Sequence, residues 1–459
     1  MEERSARKWR WLATRGVALG GVAIVAPAWD EVAWLKAPSV MMPLGLGSAV
    51  AASREGTVAV GGGRDADLGL DAGAVAIWHC SDRGVSMPSV IRHPMDDRHA
   101  WFGGALALEA SGSILAIGAP HEMGARDRSH GGWPGGFQAG SVRLYRRAPP
   151  GEDSAITGKG RSGWEVVALL RSKDPRSGAT FGAAVAIDGA RLLVGSPGHS
   201  GSGFAAGLAE VFVSAPGGWR HEAALAPPTQ GAAMGLRSGS SVALMGATAA
   251  VGAPGASLGS AASGCVDVYR LGKDGWRHST RLTSPSPQLG GSFGAALALG
   301  TASDLLAVGA PLESDSRGAV YLYRCIDIGL PSERWEHAST IVSPPSSCPD
   351  SPPHPEAFGM SLAMTGKLLV VGASESCAAA GSVYTVQVDP DGTTAVESCL
   401  TASHAAPDFH DGYRVALGAD EFGNPMAVAG RLGSSDLAPG PGGATIFVRA
   451  SQRAVAAGP

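Results

Sequence analysis

Few stretches of this sequence hold residue types spaced for chemistry. Gly290-Gly-Ser-Phe-Gly294 spells Gly-x-Ser-x-Gly, but a serine nucleophile raised on that turn needs a strand before it and a helix after it. His93, Asp96, Asp97 and His99 could ligate a metal, although their spacing fits no strict pattern. Asp65, Asp67 and Asp71, and further on Asp420, Glu421 and Asn424, offer oxygens of the kind calcium takes, in numbers too small for a cage. The segment HEMGARDRSHGGWPGGFQA, 121–139, gathers His121, Glu122, Arg126, Asp127, Arg128, His130, Trp133 and Phe137. It contains no nucleophile with a base. Trp and Arg are instead the types enriched at interface hot spots, so its chemistry is that of contact. The other reading of 121–139 is a Gly-rich insertion without a role. No constellation reads as catalytic, and neither a metal nor a cofactor is expected.

The elements that would carry these residues are repeated. FGAALALGTASDLLAVGAP (293–311) returns as FGGALALEASGSILAIGAP (102–120), FGAAVAIDGARLLVGSP (181–197) and FGMSLAMTGKLLVVGAS (358–374). Weaker copies begin at 46, 238 and 411, so seven copies follow one another at spacings of 53 to 79 residues. Each continues into Gly-x-Val-x-aliphatic-aromatic, as in GSVRLY (140–145) and GAVYLY (318–323), and then into a Trp-led segment such as GWEVVALL (163–170). Four short runs of period near two, bounded by Gly, Pro and Ser, are four strands. Seven four-stranded units predict an all-β, seven-bladed β-propeller.

These repeats resemble the FG-GAP repeat of integrin α-chain head domains, and more closely its calcium-free branch in secreted bacterial and algal proteins. The resemblance spans about residues 29–449. It implies a non-catalytic binding or adhesion module, with ligands met on the rim that holds the loops between second and third strands. The hinge between first and second strands, where that family often binds calcium, here reads EASGS (109–113), DGA (188–190) or TGK (365–367), so no calcium is expected.

The motif residues themselves are read as structural. Phe102, Phe181, Phe293 and Phe358 should wedge between blades. Gly103, Gly182, Gly294 and Gly359 should let the innermost strand crowd the axis. Pro120, Pro197, Pro254 and Pro311 should turn the chain out of the second strand.

Composition sets limits. The 459 residues are 44% hydrophobic and 17% charged, with 67 Gly and 31 Pro and a net charge of −4, a turn-rich β protein without the basic field that nucleic acid requires. Residues 1–28, an Arg-containing start, the apolar run GVALGGVAIV (16–25) and APA (26–28), read as a secretory signal peptide. The other reading is a degenerate repeat fragment. The apolar run is too short to span a bilayer.

WDEVAWL (29–35) matches the outer strand WEVVALL (164–170), while the last copy stops after three strands. The N-terminal strand is therefore expected to complete the seventh blade, leaving 450–459 as a tail. Of six cysteines, Cys348, Cys377 and Cys399 should share one rim, with Cys348–Cys377 the favoured bond. Cys80, Cys265 and Cys325 lie on other blades, and a fully reduced set is the alternative.

The expected protein is a secreted or cell-surface monomer that binds a protein or glycan ligand. The alternative is an extracellular propeller enzyme, a polysaccharide lyase or hydrolase. Carboxylates, Tyr and His clustered in the central funnel would mark that alternative.

Overall fold

The computed structural model describes residues 28–36, 45–63, 72–81, 83–94, 99–123, 136–148, 163–228, 234–257, 262–301, 304–330, 332–344, 355–405, 410–432 and 442–450. They form seven antiparallel sheets in a ring, each sheet one blade. Blade one runs from Leu46–Ala52 through Thr57–Gly62 and Ala74–Ser81 to Ser89–Arg92. Blade two is Ala105–Leu108, Ile114–Ala119, Ser141–Arg147 and Trp164–Leu170. Blades three to six occupy 184–225, 241–282, 296–342 and 358–400.

Blade seven contains Arg414–Ala419, Pro425–Arg431 and Gly443–Arg449, and its fourth strand is Trp29–Lys36 from the N-terminus. That strand sits in the register of the other outer strands. Trp29 faces Arg449 as Trp164 faces Arg147. A bulge falls between Glu31 and Ala33, and its counterpart falls between Val166 and Ala168. The expected closure is therefore present, and its cause is legible: the first strand is a displaced copy of the repeat's last one.

The core is the set of junctions between blades. Phe102 is buried with Val75 and Ile77 of blade one and Leu115 and Ile117 of blade two. Phe181, Phe293 and Phe358 fill the next comparable junctions. The same position holds Leu46, Ser238 and Asp411 in the remaining blades. Each wedge is also tied through its backbone. The N–H of Phe181 donates to Ala139 O at 3.1 Å, and Phe181 forms a parallel bridge with Gly140.

The glycine after each Phe does a different job from the one expected. Gly103 has φ +91°, and a Cβ there would lie 2.8 Å from the Ala74 carbonyl and 2.9 Å from the Val75 side chain. Its constraint is the third strand of the preceding blade, not the axis. Two backbones meet there at a distance no side chain permits.

Cys377 is disulfide-bonded, whereas Cys80, Cys265, Cys325 and Cys399 are free. Cys348, the favoured partner, lies outside the described residues, as do residues 1–27 of the proposed leader and the tail from 451.

Candidate binding face

In this topology the loops from second to third strand and the loops that lead into the next blade share one rim. Backbone bonds lock the two sets together. Gly178 N–H donates to Phe137 O (2.8 Å), Gly235 N–H to Phe204 O (2.8 Å) and Gly290 N–H to Ala262 O (2.9 Å). The residue before each wedge turns left-handed to make the corner. Trp101, Thr180, Arg237, Ser292, Ala357 and His410 have φ between 51° and 58°. Six non-glycine residues held in that region at equivalent sites describe a rim fixed by its surroundings.

This fixed rim carries large apolar side chains in the open. Phe137 and Phe204 occupy equivalent places at the ends of the loops in blades two and three. Met234 and Leu289 occupy equivalent places in the segments leading into blades four and five, and Leu312 follows Pro311 in blade five. All five are between 48% and 78% exposed. The pinning bonds set Phe204 beside Met234, and the bond from Leu312 N–H to Gly291 O (3.4 Å) brings Leu312 toward Leu289. The result is an apolar arc over four consecutive blades. On the opposite face, among the described residues, the exposed apolar side chains Met87, Ile328, Leu330 and Phe422 belong to blades one, five and seven.

The two described ends of the long loop of blade two lie on this rim. His121 packs its ring on Trp101, centroids 4.2 Å apart. Phe137 is exposed. Arg126, Asp127, Arg128, His130 and Trp133 lie outside the described residues. Glu122 is not on the surface. It is 2% exposed and anchors the base of the loop. Its carboxylate accepts from Arg143 Nη1 and Nη2, from Ser141 Oγ (2.6 Å) and from Arg171 Nη2 (2.8 Å), and His93 Nε2 lies 3.1 Å away. Burial alone would push the carboxyl up, but the bonds from His93, Arg143 and Ser141 outweigh it and hold it well below the usual carboxylate range.

Sequence reading did not foresee this pairing. His93 was grouped with His99 and the aspartates as possible metal ligands, yet it is buried and spent on Glu122. The signal was available: Arg143 stands at the mid-strand place taken by Glu210, Asp267, Tyr321 and Tyr384 in other blades. A charge there, in a buried strand, demands a partner.

The other candidates resolve into structure. Asp420 Oδ1 accepts from the N–H groups of Phe422 (2.9 Å) and Asn424 (2.8 Å), and Asn424 Nδ2 donates to Oδ2 (2.8 Å), so this carboxylate closes its own turn. Among the described residues no cluster of His, Cys, Asp or Glu is grouped for a metal. Asp65, Asp67 and Asp71, with Asp96 and Asp97, lie outside the described residues. Ser292 leads into an innermost strand rather than a helix, and its Oγ donates to Gly290 O at 3.2 Å.

At the centre is an axial channel of about 200 Å³, lined by the innermost strands of all seven blades. The lining is Ala, Val, Leu, Gly, Ser and Met with one ionisable side chain, Arg414. No helix among the described residues is long and apolar enough to cross a membrane.

Comparison with known proteins agrees with this geometry. Residues 164–212 match the family model of the FG-GAP repeat. The matched segment runs from the outer strand of blade two to the third strand of blade three, so one sequence repeat straddles a blade junction. Among solved structures, the chain is similar to a crystal structure of RRP9 WD40 repeats, with 13% identity over 92% of this chain and 99% of that one and a TM-score of 0.51. At that identity the likeness concerns fold alone. No curated protein matches the sequence.

Proposed function

For a seven-bladed propeller that carries an FG-GAP repeat, we propose a non-catalytic binding module of adhesion type, exported and working outside the cell or at its surface. The observation that carries this reading is the apolar arc of Phe137, Phe204, Met234, Leu289 and Leu312. Large apolar side chains exposed on four consecutive blades of a backbone-locked rim are what a protein interface uses at its centre. The partner that suits it is a protein presenting its own apolar side chains, because a glycan would need polar groups converging on a ring and the five side chains of the arc offer none. The long loop of blade two borders the arc through Phe137 and would extend it.

The channel composition supports a role without catalysis. A lyase or hydrolase needs an acid–base pair within reach of substrate, and the lining contains neither His, Tyr nor a carboxylate. The integrin-like, calcium-independent character and export through residues 1–28 belong to the same proposal and rest on the repeat pattern and the leader-like sequence.

The test is a protein and glycan array probed with the chain, followed by titration of any hit. Phe204→Ser with Met234→Ser should weaken a protein ligand at least tenfold without lowering the melting temperature. Equal affinity in that variant, or an array that returns only glycans, would refute the arc as the site. Sedimentation velocity on the same samples checks the expected monomer, and a dimer that the double variant dissolves would show that the arc's partner is a second copy.

A further inference from the structure

The axial channel contains a residue that its seven-fold pattern does not ask for. In each blade one residue of the innermost strand pairs with the glycine of the second strand. These residues are Ala49, Ala105, Ala184, Ser241, Ala296 and Ser361 in blades one to six, and Arg414 in blade seven. Six blades place a small residue where the strands converge, and the seventh places a guanidinium. Five other buried or half-buried arginines have carboxylates: Arg143 and Arg171 share Glu122, Arg191 has Glu222, Arg281 has Asp267 and Arg431 has Asp411. Arg414 forms no ion pair among the described residues. Its guanidinium lies 4.6 Å over the Tyr413 ring, and Nη1 donates to Tyr413 O at 3.1 Å. That stack fixes the plane of the fork and leaves most of its N–H donors unused.

The surroundings favour an anion. Each innermost strand is an edge strand whose outer ladder faces the axis, so backbone N–H donors line the same space, alternating with carbonyls. No carboxylate in the lining competes for the cation. The serine hydroxyls are occupied as donors: Ser240 to Arg237 O (2.7 Å), Ser241 to Gly294 O (2.6 Å) and Ser361 to Gly412 O (2.9 Å). We propose that Arg414 makes the rim-side mouth of the axial channel a binding site for a carboxylate, carried either by an acidic side chain of a partner or by a small free acid. A planar monoanion matches one guanidinium through two parallel bonds. A phosphate dianion would leave one negative charge unbalanced between neutral walls.

The proposal does not depend on the apolar arc. The experiment titrates the full chain with three probes: glutamate capped at both ends, propionate and inorganic phosphate, at constant ionic strength. Arg414→Met keeps length and ring contact without charge, and the small residues in the other six blades show that the fold tolerates its loss. Capped glutamate should bind, and R414M should weaken it at least tenfold, which identifies a partner's side chain as the source. Propionate binding alone, with the same loss, supports the site and identifies a free acid. The Phe204→Ser, Met234→Ser variant should bind either probe as the parent does. Affinity unchanged in R414M, phosphate bound more tightly than both carboxylates, or no binding of either carboxylate would overturn the proposal. If R414M did not fold, amide shifts of Gly412 and Tyr413 in the parent would decide, and shifts confined to other blades would overturn it.

Discussion

Glu122→Ala is the most informative single change in this ring. The carboxylate sits at the base of the long loop with 3% side-chain exposure and faces Arg143 with 4%, Arg171 with 28% and His93 with none. Removing it strands a buried guanidinium and leaves Ser141 without its acceptor. Breaking a buried pair from one side costs about 3–5 kcal/mol, and here the half-exposed Arg171 can turn to water while Arg143 cannot. We expect a loss of about 3–4 kcal/mol in chemical denaturation, read as a lower midpoint with an unchanged slope. Glu122→Leu combined with Arg143→Met should recover most of that loss, because it removes the charge rather than orphaning it. The pH dependence follows from the direction of the shift. The folded carboxyl is held below its ordinary value of 4.5, so its stabilisation is complete above that value and is lost as pH falls below it. The gap between the parent and Glu122→Gln should therefore be widest at neutral pH and close on acidification. A loss under about 1 kcal/mol for Glu122→Ala, or a gap that widens toward acid, would refute the account of this cluster.

Phe181→Ala should cost about 3–5 kcal/mol in the same assay, since it opens a cavity between two blades that cannot collapse without moving a sheet. Deleting 29–36 should leave Gly443–Arg449 as a bare edge and give a protein that elutes as aggregate in size exclusion. A thermal melt with and without chelator should give one midpoint, because no hinge supplies enough carboxylates for a calcium cage, and a fall of many degrees on chelation would point to Asp65, Asp67 and Asp71. Replacing 124–135 with a short Gly-Ser linker should shift stability by no more than about 1 kcal/mol, provided that Glu122 and Phe137 are kept, and an unfolded product would mean that the loop packs as structure.

The fold was legible because a repeat states its periodicity seven times. Phe-Gly, Gly-Ala-Pro and the Trp-led strand each mark one edge of a strand, and the surplus strand at the N-terminus matched the shortfall at the C-terminus. The face was legible too, since topology alone puts two sets of loops on one rim. Individual side chains were not. Glu122 looked like a loop residue because it follows His121 and precedes a Gly-rich run, yet its partners come from Arg143, Arg171 and His93, up to 49 residues away. The arc escaped notice for a similar reason: Phe204, Met234 and Leu289 stand alone in three different loops, and only the ring places those loops on one rim.

Blade seven shows how a ring of near-copies avoids closing on the wrong blade. The strand Trp29–Lys36 has the bulge of the outer strands of blades two to six, so its ladder alone does not single out one third strand. The difference lies in what its side chains meet. Trp34 stacks on His404 at 3.8 Å with Arg431 beneath it, and Glu31 accepts from Ser403 N–H (2.6 Å) and Oγ (2.9 Å). Arg431 is in turn held by Asp411, which occupies the wedge position given to Phe in four other blades. Paired with another blade, the strand would keep its backbone bonds but leave Trp34 and Glu31 without these partners. At Asp411 the wedge phenylalanine of four other blades is replaced by a directional charge pair with Arg431, which is roofed by Trp34 of the N-terminal strand. A hydrophobic wedge would accept any apolar strand, whereas this arrangement favours one.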